Sequence, residues 1–133
     1  MIGIGTDILD IRRIEKTISR FGNRFKKRIF TESEIKKCES RKLSINCYAK
    51  RFAAKEAASK ALGTGFRKGI FWKDLEVSNL ISGQPTIIFH GNAKNHLESL
   101  MLKKKEASVN LTITDEYPYA HAIVVIESNS NGR

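Results

Sequence analysis

The chain has 133 residues, 41% hydrophobic and 29% charged, which suits one domain around one core and leaves no room for two. Its net charge of +10 is uneven: residues 1–60 carry 16 Lys and Arg against 7 Asp and Glu, a net of +9, while the remaining 73 carry 8 against 7. No apolar run approaches the roughly 20 residues of a membrane span, and Met1 to Asp7 lacks the basic region that precedes the apolar stretch of a secretory signal.

In chain order, Ile2, Ile4, Thr6 and Ile8 alternate with Gly3, Gly5 and Asp7, which is strand periodicity. One face of this strand is apolar, and the other bears two glycines and then a carboxylate. Ile11, Ile14, Ile18 and Phe21 recur at spacings of three and four, the buried stripe of an amphipathic helix that Asp10 can cap at its start and Gly22 at its end. Arg12, Arg13, Lys16 and Arg20 face outward, and Arg24, Lys26, Lys27 and Arg28 follow. Thr31 and Glu34 have the form of a capping box. A helix is predicted from about Ala49 to Leu62, rich in Ala, Lys, Arg and Glu and stopped by Gly63.

Leu75 and Val77 predict a strand, the turn Ser82-Gly83-Gln84-Pro85 follows, and Thr86 to Phe89 predict a second strand. Asn92 can cap a helix with Ala93, Leu97, Leu100 and Met101 on its buried side. Val109, Leu111 and Ile113 alternate with polar residues, a turn spans Asp115 to Pro118, and a β-rich segment runs from Ala120 to Ile126. The polar tail, residues 128–133, reads as disordered. There is no internal repeat and no linker. The order of elements predicts an α+β domain over residues 1–127, a mainly antiparallel sheet with helices packed on it.

The charge asymmetry predicts one basic face, either merely solvated or turned to an acidic partner: nucleic acid, a membrane surface, a phosphorylated cofactor or an acidic protein. Cys38 and Cys47 form no CxxC pair, and beside three scattered histidines they make a poor zinc set. They read as reduced thiols of a cytoplasmic protein. No Ser-His-Asp or Cys-His set is identifiable, and His90, His96 and His121 read as surface or packing residues.

Asp7 follows two glycines on one strand face, which leaves space for a ligand or metal; alternatively it sits at the strand end and caps the next turn. Glu56 and Lys60 stand four apart on one helix, a spacing that most often marks a surface salt bridge. Here Phe52 and Ala53 share that side, which predicts partial burial. Gly63-Thr64-Gly65 follows at once, a loop whose backbone N–H groups can approach a phosphate closely. Asp7 and Glu56 together suit Mg²⁺, which takes a few carboxylates, waters and substrate phosphate oxygens. These residues describe a metal-assisted phosphoryl or phosphodiester transferase with a basic docking face, and they leave its substrate open. The rival is a small nucleic-acid-binding module, which a pI near 9.8 would fit. It leaves Asp7 and Glu56 unexplained and lacks the aromatic pairs of a single-strand binder.

Two segments resemble a known family: Gly3-Ile4-Gly5-Thr6-Asp7-Ile8 leading into Arg13-Ile14, and Arg51-Phe52-Ala53-Ala54-Lys55-Glu56-Ala57-Ala58-Ser59-Lys60-Ala61 with Gly63-Thr64-Gly65. Gly83-Gln84-Pro85 and the Ala120 to Glu127 strand also fit. In this order, about fifty residues apart, they resemble the holo-acyl-carrier-protein synthases, short bacterial members of the 4′-phosphopantetheinyl transferase family. The similarity runs from Ile2 to about Ser128. It implies transfer of phosphopantetheine from coenzyme A to a carrier serine, with release of 3′,5′-ADP, in support of fatty acid biosynthesis.

By the same resemblance, Asp7 and Glu56 bind Mg²⁺, Lys60 contacts the coenzyme A phosphates, and Gly63, Thr64 and Gly65 lie beside the nucleotide. The protein is expected to be a homotrimer with active sites at subunit interfaces, Pro85 and the strand near Thr112 facing the site from the neighbour. The basic surface of residues 12–28 would attract the acidic acyl carrier protein through Arg13, Arg20, Arg24 and Arg28, with Phe25 as apolar anchor. Neither nucleic acid nor membrane is an expected partner. Many relatives have histidine where Asn110 stands. An asparagine keeps a hydrogen bond but cannot act as a base, so the proton acceptor stays open among Glu56, a metal-bound water and a partner-subunit group.

Overall fold

The computed structural model describes residues 2–102 and 105–130. Strand β1 (Gly3–Asp10) leads into helices α1 (Ile11–Phe21), α2 (Asn23–Ile29), α3 (Glu32–Glu39) and α4 (Ser44–Leu62). A 3-10 turn (Trp72–Asp74) precedes β2 (Leu75–Asn79) and β3 (Pro85–Phe89). Helix α5 (Gly91–Ser99) and the long hairpin of β4 (Lys105–Glu116) and β5 (Tyr119–Ser130) complete the chain. All pairing is antiparallel, as the α+β reading expected, but it is divided between two sheets, β1-β5-β4 and β2-β3.

Local chemistry explains most boundaries. Asp10 accepts from the Arg12 N–H at 2.9 Å and caps α1, and Thr31 and Glu34 close a reciprocal capping box on α3. Helix α4 ends where Gly63 adopts φ +83°. Several boundaries differ from the sequence reading, and β4 runs through Asp115 and Glu116 of the expected turn. Helix α4 begins at Ser44, five residues before Ala49. Asn92 lies inside α5, where it donates to the Gly69 carbonyl, while His90 is the N-cap. Strand β5 continues through Ser128, Asn129 and Ser130, because β4 extends far enough to pair with them, Lys105 opposite Ser130; residues 131–133 of the expected tail lie outside the described residues.

Cysteine chemistry also differs. Cys38 and Cys47 are joined by a disulfide, contrary to the expectation of two reduced thiols. The short 40–43 loop folds α4 back beside α3 and sets the two Cα atoms 5.3 Å apart, within bridging range.

Helix α4 runs across the inner face of β1-β5-β4, over Leu9, Ala120, Ala122, Val124 and Ile126, and is buried for most of its length. The glycines of β1 face this helix. A Cβ on Gly3 would collide with the Ala61 carbonyl oxygen, and one on Gly5 with that of Ala57. The glycines therefore serve strand–helix contact, not a ligand space. The isoleucines of β1 point the other way, with Ile4 56% and Ile8 66% exposed.

Candidate functional site

The crossing of β1 and α4 decides where the polar groups meet. Side chains on one strand face recur every second residue, so the face that presents Gly3 and Gly5 to α4 presents Asp7 next. At that level α4 offers Glu56 and, one turn on, Lys60. The Lys60 Nζ donates to Asp7 Oδ1 at 3.2 Å and to the Thr6 carbonyl at 3.0 Å. Lys60 is 52% exposed while Asp7 is 15% exposed, so the lysine can swing away at little cost and leave a largely sheltered carboxylate. Glu56 is half-buried. Burial first, and Asp7 second, raise its affinity for a proton, while Lys60 and Arg13 of α1 pull in the opposite direction. The structure thus brings Asp7, Glu56 and Lys60 together, with Arg13 within electrostatic reach.

These residues fit a magnesium ion. Two carboxylates face one locus, and among the described residues the cation bonded there is a lysine on an exposed, flexible stem. Among the described residues no group of three or more His, Cys, Asp or Glu gathers anywhere. A metal held here would complete its shell with water and substrate oxygens, as Mg²⁺ does and Zn²⁺ or Ca²⁺ does less readily.

The Gly63-Thr64-Gly65 loop is first of all the end of α4. The Gly63 N–H bonds the Lys60 carbonyl and the Gly65 N–H bonds that of Ser59, both at 3.0 Å, so neither is free for a phosphate. Thr64 is buried and its hydroxyl donates to the Gly65 carbonyl. The outer side of both glycines is open, which leaves room beside Lys60 for a ligand to approach.

Pro85 and Thr112 stand apart from this cluster within one chain. Thr112 is exposed on the outer face of the sheet, in line with Ile123 and Thr6, and Asn110 lies on the same face opposite Val125. Pro85 lines a cavity of about 520 Å³ between the 40–43 loop, α4, the β2-β3 hairpin and β4. Arg41, Lys42, Lys50 and Arg51 also line it. Arg51 is only 8% exposed, donates from Nη1 to Cys47 Sγ at 3.1 Å, and keeps an unpartnered Nε. Sequence reasoning quoted Arg51 in a motif but assigned it no role; the signal was a basic residue five positions before Glu56 on a mostly apolar helix.

Of the basic face, Arg13, Arg20, Arg24 and Arg28 are exposed on α1 and α2. Phe25 is not an exposed anchor. It is half-buried, stacks on Phe52 at 6.2 Å between centroids and meets Phe30 edge-on at 6.1 Å, because the turn at Gly22 rotates α2 and directs this ring toward α4. Phe21, read from its spacing as part of the buried stripe, is 45% exposed beneath the Arg20 guanidinium, 5.1 Å from the ring centroid.

Fold and site together define a class: a small α+β protein with a carboxylate pair and a lysine at a strand–helix crossing, and a separate basic cavity. A model of the 4′-phosphopantetheinyl transferase superfamily matches residues 3–122. The holo-[acyl-carrier-protein] synthase of Parvibaculum lavamentivorans is 56% identical over 126 residues, 95% of each chain. The crystal structure of the Neisseria meningitidis holo-[acyl-carrier-protein] synthase superposes with a TM-score of 0.85 at 34% identity, covering 96% of this chain and 98% of that one. That of the Helicobacter pylori enzyme in complex with coenzyme A gives 0.76 at 34%, covering 93% and 99%. The chain belongs to the 4′-phosphopantetheinyl transferase superfamily, among its holo-[acyl-carrier-protein] synthases.

Proposed function

We propose that this protein transfers the 4′-phosphopantetheine arm of coenzyme A to a serine of an apo acyl carrier protein and releases 3′,5′-ADP. The observation that carries the reading is the convergence of Asp7, Glu56 and Lys60 at one crossing in a chain of this family. The serine oxygen forms a bond to the pantetheine-side phosphorus, the pyrophosphate P–O bond breaks, and its electron pair leaves on 3′,5′-ADP. Lys60 neutralises charge on that leaving phosphate. The serine proton passes to Glu56, the half-buried carboxylate of the set. Asp7 and Glu56 would hold Mg²⁺, which when bound supplies Lewis-acid neutralisation of the pyrophosphate.

The remaining surfaces fit the same reading. The cavity with Arg41, Lys42, Lys50 and Arg51 suits the phosphorylated nucleotide end of coenzyme A, a nearly buried guanidinium whose Nε lacks a partner being costly without an anion. Arg13, Arg20, Arg24 and Arg28 suit an acidic carrier, and Phe21 takes the anchoring part first expected of Phe25. The uncovered isoleucine face of β1 supports a homotrimer, in which copies of the chain would cover it and border one another's sites with Asn110 and Thr112.

Apo carrier protein incubated with coenzyme A and Mg²⁺ should gain the mass of one phosphopantetheine on a serine. EDTA should stop the reaction, and Asp7→Ala should slow it by at least about a hundredfold while leaving the fold intact. No mass gain, together with tight oligonucleotide binding, would favour the nucleic-acid module instead.

A further inference from the structure

Helix α4 carries Glu56 and Lys60, yet no single apolar stripe orients it. Tyr48 and Phe52 are buried, and so are Ala53, Ala54, Ala57 and Ala58, on every side of the helix. The close approach of Ala57 and Ala61 to Gly5 and Gly3 sets which side meets β1. A polar anchor on a second side is what pins the rotation.

Lys55, the neighbour of Glu56, supplies it. Its side chain is wholly buried, and its ammonium donates to Glu34 Oε1 at 2.8 Å, the Trp72 carbonyl at 3.1 Å and the Leu75 carbonyl at 2.5 Å. Those three acceptors match its three protons. Glu34 is equally buried and equally committed: Oε1 also accepts from the Thr31 N–H at 2.9 Å, and Oε2 from the Val77 N–H at 2.8 Å. One ion pair therefore ties α4 to the start of α3, to the 3-10 turn and to β2. Buried ion pairs are poor stabilisers because desolvation offsets most of their attraction, and their best-attested use is to specify register. Adjacent helix residues point about 100° apart, so fixing Lys55 on the far side fixes Glu56 toward β1.

We propose that Glu34 and Lys55 are the positioning pair of the transfer reaction: they set the rotation of α4 and so hold Glu56 and Lys60 against Asp7. This rests on the reading of Asp7, Glu56 and Lys60 as the reacting site. Neither residue touches substrate.

The test replaces the pair by neutral groups of similar length, Glu34→Gln with Lys55→Met, so that no charge is left buried alone. The double variant leaves the Trp72 and Leu75 carbonyls without the ammonium and should have a lower Tm than the wild type; at a temperature where it is fully folded it should lose about a hundredfold in kcat, with KM for coenzyme A and for the carrier within about twofold. Glu34→Asp, which keeps both charges and draws the tether in by one methylene, should fold in any case and lose about tenfold in kcat with the same unchanged KM values. In a Glu56→Gln background the pair substitutions should cost less than in the wild type, because the displacement of Glu56 no longer counts and only that of Lys60 remains; a role in stability alone would make the losses multiply. Wild-type kcat in Glu34→Asp, or full multiplication of losses, overturns the proposal. Wild-type activity of Glu56→Gln by itself would instead overturn the site on which it rests.

Discussion

Where α4 crosses the β1-β5-β4 sheet most closely, small residues stand inside and large ones outside, while Leu9, Leu111, Val124 and Ile126 fill the rest of the inner face. Inside, β1 contributes Gly3 and Gly5 and β5 contributes Ala120 and Ala122, because the backbone of α4 presses directly on the strands. Outside, Ile2, Ile4 and Ile8 stand uncovered beside Ile123 and Val125. Close backbone approach on one face brings Asp7 to Glu56 and Lys60, and the apolar side chains displaced to the other face make a surface that water covers poorly. The site and the uncovered apolar face are thus two consequences of one packing decision.

Breaking the inner face should have the largest effect. Gly5→Val would force a branched side chain into the Ala57 carbonyl and cost at least about 3 kcal/mol, read as a fall in the urea midpoint and loss of activity. A midpoint equal to wild type would mean that α4 does not press on β1 as described. The outer face should respond differently. Ile4→Glu with Ile123→Glu should leave the monomer folded, because neither side chain is buried within it, and reduce the mass seen by light scattering from about three chains to the 15.0 kDa of one. A 15.0 kDa wild type with full activity would refute the trimer.

Smaller effects are expected farther from the sheet. Reversing charge with Arg13→Glu and Arg24→Glu should raise KM for the carrier several-fold and flatten its salt dependence, since attraction of this range is screened over about 8 Å at physiological ionic strength. The KM for coenzyme A should move less, and an equal effect on both substrates would place the carrier elsewhere.

The smallest effect concerns Glu76, which the inner packing places against α3. Burial pushes its carboxyl up, but hydrogen bonds from Ser33, Thr31 and His90 outweigh that and bring it to about 2. Because this value lies below that of an unfolded glutamate, about 4.3, its stabilisation is present above that pH and disappears as the pH falls toward 2. Glu76→Gln should lower Tm slightly at pH 7 and not at pH 2. An equal shift at both values would remove the electrostatic explanation.

Short-range rules account for what could be read along the chain. Asp10, Gly22, Thr31 with Glu34, and Gly63 each act within four residues of their own backbone, and all four end or begin a helix as expected. The motifs around Asp7 and Glu56 were legible for a similar reason, since strand and helix periods put each carboxylate on a defined side of its own element. The errors arose where a second element intervenes. Phe21 is exposed where its spacing predicted burial because the turn at Gly22 ends α1 and sets a new helix direction, and Cys38 met Cys47 because two helices fold back on each other. Arg51 lacked an assigned role until a cavity formed around it.

The sequence by itself therefore determined most of the elements, the ends that carry a cap and the kinds of group available for chemistry, because propensity, capping and periodicity are local. Only the tertiary structure decided which face of β1 is inside, that Lys55 is spent on Glu34, and that Lys60 is the lysine left for Asp7. Those outcomes depend on how closely two backbones approach and on which buried charge finds a partner. Both are settled by residues that lie twenty to fifty positions away in the chain and only ångströms away in space.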